Sequence, residues 1–135
     1  MKESGFWRKL RPLMREAAPG IVVERIESWS TPGFPDVSGT WEGVDFWLEL
    51  KIIRGLQVKF QPGQVPWLRR RWRAGSRCFV LAYEPGDWRA LLFDGDRAKE
   101  LSNNHVDEVT TRWMPSLDTI GIRRMLKEIC SNDKV

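Results

Sequence analysis

The chain has 135 residues, of which 41% are hydrophobic and 30% charged. That is the composition of one ordinary folded domain over residues 1–135, and it excludes a disordered chain. Twenty-two Lys and Arg against 18 Asp and Glu leave a net charge of +4, which permits a polyanionic partner without requiring one. No apolar stretch approaches the roughly 20 residues of a membrane span, and no signal-peptide pattern is present, so a cytoplasmic protein is expected. Cys78 sits in an apolar run, RCFVLAY, and reads as a buried free thiol rather than half of a disulfide with Cys130.

In chain order, residues 4–17 read as a helix with Phe6, Leu10, Leu13, Met14 and Ala17 at helical spacing. Pro12 is expected to kink it or to mark a late start. IVVERIE, 21–27, reads as a strand, followed by a Pro/Gly/Ser-rich loop. Residues 36–42 and 45–53 read as an antiparallel pair turning at Glu42–Gly43. In the second of these strands the side chains alternate. Trp47, Glu49 and Lys51 share one face, and Phe46, Leu48, Leu50 and Ile52 share the other. A connection with a short extended piece at 56–60 leads to a helix over 62–74, with Pro66 in its first turn and Gly75 after its end. Strands at 77–83 and 88–93 form a hairpin around EPGD, and a short helix follows. Residues 103–116 read as irregular, anchored by Trp113 and Met114. The last helix spans about 117–130, with Leu117, Ile120, Ile122, Met125, Leu126 and Ile129 apolar. This order predicts an α/β domain, a central mixed β-sheet flanked by helices.

The chemistry concentrates at Asp36, thirteen residues before Glu49, with Lys51 two further on. If their strands pair, two carboxylates and an ammonium converge. Neighbouring carboxylates repel, and a cation is the natural remedy. Oxygen donors suit Mg²⁺ or Mn²⁺, and the carbonyl of Leu50 could add a ligand. Such a centre can activate water and stabilise charge on a phosphodiester, with Lys51 orienting water or neutralising that charge. Read in isolation, ELK is also what a salt-bridged strand surface looks like.

GFPDV followed by FWLELK resembles the PD-(D/E)XK nuclease superfamily, carried here by Pro35-Asp36 and Glu49-Leu50-Lys51. Within it the chain is most similar to the Holliday-junction-resolvase-like and VRR-NUC groups and to small phage-encoded proteins of that kind. QPGQVPWLRR matches the helix those proteins place after the lysine strand, and GSRCFVLAY matches the next strand, so the resemblance covers about residues 4–102. It implies a restriction-endonuclease-like core, Mg²⁺ dependence and hydrolysis of DNA phosphodiesters, with branched or flapped DNA as one substrate class. It also implies an upstream glutamate. Glu27, in RIE, fits the small phage relatives best, with Glu16 second and Glu3 third. Gln64 is expected to touch Lys51, the metal's water or a phosphate.

Arg54 and Lys59 follow the lysine strand and are candidates for contacting nucleic acid. Arg69, Arg70, Arg71 and Arg73 surround Trp67 and Trp72 and are candidates for phosphate contact. Ser30, in the Ser28–Thr31 loop with Trp29, could grip a backbone phosphate. His105 has no partner set that makes a zinc site and is expected at the surface. A homodimer through the 117–130 helix is conceivable, since paired cuts in branched DNA need two sites. A noncatalytic nucleic-acid-binding protein and an RNA-directed nuclease remain open alternatives.

Overall fold

The strand Val44–Ile52 organises the molecule, because both of its faces are covered. The computed structural model describes residues 1–26 and 33–131; Glu27, Ser30 and the rest of the segment 27–32 lie outside the described residues. The elements are α1 (Glu3–Ala17), β1 (Val22–Arg25), β2 (Val37–Trp41), β3 (Val44–Ile52), α2 (Gln64–Arg73), β4 (Cys78–Glu84), β5 (Arg89–Asp94), α3 (Ala98–Asn103) and α4 (Thr119–Ile129). Short 3-10 turns occupy Gly95–Arg97 and Val106–Glu108.

The strands form one sheet in the order β1-β2-β3-β4-β5. All pairs are antiparallel except β3–β4. The mixed sheet follows from the connections. A two-residue turn joins β2 to β3, with Glu42 at φ 50° and Gly43 at φ 79°, the left-handed pair that matches hairpin twist. Parallel strands need a longer crossover, and α2 supplies it between β3 and β4. The expected α/β architecture, a mixed sheet flanked by helices, is therefore present.

Alternation then sorts the core into two clusters. Phe46, Leu48, Leu50 and Ile52 of β3 pack with Phe79, Leu81 and Tyr83 of β4 under α1 and α4. On the opposite face, Cys78, Val80 and Ala82 of β4 pack with Trp67 and Leu68 of α2 and with Ala98 and Leu101 of α3. Cys78 and Cys130 are both free thiols, and Cys78 Sγ donates to the Leu68 carbonyl at 3.3 Å.

Some local expectations are corrected. Helix α1 starts at Glu3 and runs through Pro12, which lies on its exposed side. Phe6, Trp7, Leu10 and Met14 bury the other side, and that packing offsets the lost backbone bond. Met114 is 62% exposed and anchors nothing; Val106 and Val109 are buried in its stead. In α4 the Asp118 carboxylate caps the Gly121 N–H at 2.7 Å, and Ile122, Met125, Leu126 and Ile129 face the sheet. The apolar stripe considered for self-association is thus internal, with Ile120 left outside. Among the described residues no helix is long and apolar enough to cross a membrane.

Candidate active site

Antiparallel pairing of β2 with β3 ends at Val37 opposite Leu48. Beyond that point the β2-side edge of β3 has no strand partner among the described residues, and Asp36 takes the place of one. Its Oδ2 accepts the Leu50 N–H at 2.9 Å, and its own N–H donates to Glu49 Oε1 at 3.2 Å. The reciprocal pair holds the Asp36 and Glu49 carboxyls against each other. The carbonyl of Leu50 leaves β3 on the same edge as its N–H, so it opens toward Asp36. Proline at 35 suits this corner, since it adds no donor where the ladder stops.

Lys51, on the same face of β3 as Glu49, places Nζ 3.2 Å from Glu49 Oε2. It donates to Gln64 Oε1 at 2.9 Å and lies 4.7 Å from the centre of the Phe60 ring. Gln64 opens α2 and ties three segments together. Its Oε1 also accepts the Gln61 N–H at 2.8 Å, while its Nε2 donates to Glu49 Oε2. The amide orientation follows from these partners, since two donors meet its oxygen and a carboxylate meets its nitrogen.

Glu49 is 1% exposed, Lys51 5% and Gln64 9%, and they are the buried polar side chains of the described residues. Charged groups are rarely buried to this degree unless paired. Burial, and then the nearby charge of Asp36, push the Glu49 carboxyl from 4.5 up to about 8, with Lys51 pulling the other way. A carboxyl in this state is short of positive charge. The oxygens of Asp36 and Glu49, with the Leu50 carbonyl at the same edge, suit a small hard cation such as Mg²⁺. Among the described residues no cluster of three or more His, Cys, Asp or Glu side chains could hold a metal ion. Two carboxylates are therefore what this part of the chain offers, and Glu27 lies outside the described residues.

Glycines set the spacing between the two loops that meet here. Gly33 has φ 101°, and a Cβ built on it would lie 2.5 Å from the carbonyl oxygen of Gly63. The loop carrying Asp36 thus rests directly on the backbone just before Gln64. Nearby, Phe34, Trp47 and Trp67 form an aromatic wall, with ring centres 5.5 to 6.0 Å apart. Sequence reasoning singled out Trp47 but missed Phe34, Phe60, Gln61 and the Gly33–Gly63 approach. The glycines next to GFPD and QPGQ were the available signal for that last contact.

The remaining candidates separate. Arg54 is exposed and its guanidinium donates to the Met1 carbonyl; Lys59 is exposed on the segment that follows. Arg73 pairs with Asp96 at 2.9 Å and Arg69 approaches the same carboxylate at 4.0 Å, so both brace α2 against the 3-10 turn that follows β5. Arg70 is exposed, and Arg71 lies 4.9 Å from the centre of Trp67. Glu16 is exposed in the last turn of α1, while Glu3 lines a cavity of about 330 Å³ with Ile52, Arg54 and Lys59. His105 is exposed, as expected.

No protein-family model matches this chain, and no curated protein matches it. Among solved structures it is similar to Hjc of Archaeoglobus fulgidus, a Holliday junction resolvase from an archaeal hyperthermophile, determined at 1.6 Å resolution. The two share 17% identity over 68% of this chain and 72% of that one, with a TM-score of 0.48.

Proposed function

We propose that the chain is a divalent-metal-dependent nuclease that hydrolyses DNA phosphodiesters at Asp36, Glu49 and Lys51. The observation that supports this best is the pairing of Asp36 with a Glu49 carboxyl that is buried and short of positive charge. A structural ion pair needs one carboxylate for one ammonium; a second carboxylate facing the first is the arrangement of a cation site. The resemblance of Pro35-Asp36 and Glu49-Leu50-Lys51 to the PD-(D/E)XK pattern points the same way.

In this reading Asp36, Glu49 and the Leu50 carbonyl hold Mg²⁺ or Mn²⁺, and Glu27 adds the upstream acid. The bound cation supplies the charge that polarises the phosphodiester and makes water nucleophilic at neutral pH. Lys51 sits beside Glu49 and stabilises the negative charge that builds on the phosphate oxygens. Gln64 holds Lys51 and Glu49 in register through its two amide atoms. In the same reading Arg54, Lys59 and Arg70, all exposed, neutralise phosphates of the bound strand, and Ser30 adds a hydroxyl. Arg69 and Arg73 contribute by holding α2 in place.

Nicking of supercoiled plasmid tests the proposal. The wild type is expected to nick with Mg²⁺ or Mn²⁺ and to stop in EDTA. Asp36→Asn and Glu49→Gln are expected to lose about 10³-fold in rate, the equivalent of several kcal/mol of transition-state stabilisation. A wild type that binds DNA but nicks it with neither metal overturns the enzyme reading in favour of a noncatalytic binder. Four-way junction, flap, duplex and RNA substrates in the same assay rank the branched-DNA and RNA possibilities.

A further inference from the structure

A sizeable cavity adjoins Lys51 and Gln64. It is a groove of about 640 Å³ between the segment 57–66 and the C-terminal end of α3. Its wall is continuous with the site: Phe60 lies under the Lys51 ammonium, and Gln61 donates its N–H to Gln64. The floor is apolar, from Val58, Phe60, Val65 and Leu101. The rim carries amides, at Gln57, Gln61, Asn103 and Asn104, and one cation, Lys59. None of the described residues that line it is acidic, although the chain has 18 acids.

We infer that this groove receives a single, unpaired nucleic-acid strand next to the scissile phosphate. The inference rests on the nuclease reading and narrows its substrate class to DNA with an unpaired strand at the cut. Size decides between one strand and two. A space of about 640 Å³ is roughly 9 Å across if compact, the scale of one nucleotide, whereas in a duplex the major groove alone is roughly 12 Å wide and the whole helix is wider still, so the groove accommodates one strand and not a duplex. Chemistry decides what the strand offers. An apolar floor with an aromatic ring takes base faces, a lysine at the rim takes a phosphate, and neutral amides bond base edges of any sequence. An acidic peptide would find one cation and no further charge, and a cationic one would find no carboxylate.

Binding is measured apart from cleavage, in EDTA and at fixed salt. The anisotropy of a labelled short oligothymidylate is compared with that of a blunt duplex of the same length. The test variant is Gln57→Glu with Asn103→Asp, which adds two negative charges at the rim with little change of volume. Gln57→Glu alone is a second variant, because Asn103 also bonds the Lys99 carbonyl at 3.1 Å, whereas the backbone of Gln57 pairs with Arg54. Thermal unfolding checks that both variants remain folded. The double variant is expected to bind oligothymidylate about tenfold more weakly and the duplex within about twofold of wild type. Gln57→Glu is expected to show a smaller loss in the same direction. If both folded variants bind oligothymidylate as the wild type does, or if the wild type does not bind it, the groove assignment is overturned. Plasmid nicking reads the other proposal separately. Nicking with an indifferent groove keeps the nuclease and removes the groove. Groove-dependent binding without nicking does the reverse.

Discussion

The two faces of β3 differ in kind, although they belong to the same nine residues. Toward α1 and α4 it presents Phe46, Leu48, Leu50 and Ile52, all apolar and buried. Toward α2 it presents Trp47, Glu49 and Lys51, of which Glu49 and Lys51 are as dry as a core leucine. The first face is explained by transfer of apolar area out of water, about 25 cal/mol per Å². The second cannot be, since burying charged groups opposes folding unless partners compensate. The comparison teaches where apolar packing and buried charge sit: on alternate residues of one strand, each insulated from the other by the sheet.

Substitutions one residue apart test that separation, with the largest effect first. Leu48→Ala is expected to lower stability by about 3 kcal/mol, the ordinary result of emptying a core position. Glu49→Gln is expected to lose nicking and to keep its stability near neutral pH, because a carboxyl that holds its proton up to about 8 is already uncharged there and the amide retains a polar side chain near Gln64 and Lys51. Urea unfolding followed by Trp fluorescence measures both. If Glu49→Gln costs as much stability as Leu48→Ala, the two faces play the same role and the comparison collapses.

The pH dependence sharpens it further. In the metal-free protein Glu49 holds its proton up to about 8, whereas the unfolded chain releases it near 4.5. Between those values the folded state binds more protons than the unfolded one. Stability from this group is therefore fully present below about 4.5, falls as pH rises and is lost above about 8. Urea midpoints across that window should decline in the wild type and flatten in Glu49→Gln. Leu48→Ala should keep the wild-type slope, displaced to lower stability.

Gly33→Ala is the mildest of these changes. It puts a methyl group against the Gly63 carbonyl at a left-handed backbone position. A cost of about 1–2 kcal/mol is expected. Because the displaced loop carries Asp36, nicking should fall by more than thermal unfolding alone accounts for. An unchanged nicking rate would show that the loop has room to relax.

Much of this was legible in the sequence, for identifiable reasons. Period-two alternation in DFWLELKII separated the faces of β3, and the Glu42–Gly43 turn put Asp36 near Glu49. Gln64 was expected to touch Lys51, a metal-bound water or a phosphate, and its amide oxygen stands 2.9 Å from the Lys51 ammonium. What the sequence hid shares a cause. That Arg69 and Arg73 lie beside Asp96 follows from the 3-10 turn after β5, more than twenty residues on, which no local pattern encodes. Trp113 and Met114 looked like anchors by residue type alone, but the chain there pairs with Leu92 through its backbone and leaves Met114 outside. Tertiary position overrides composition in such irregular segments.

The tight turn between β2 and β3 bears on the order in which the site comes together. A hairpin closes within about 1–10 μs, since its contacts are near in sequence. The parallel pairing of β3 with β4 must wait for the whole crossover from Ile53 to Arg77 to fold back, a slower search with more chain entropy to lose. Asp36, Glu49 and Lys51 all belong to the early piece, and Gln64 rides on the late one. A hairpin that closed first would bring Asp36, Glu49 and Lys51 into register while still open to water, and the later docking of Gln64 would bury them.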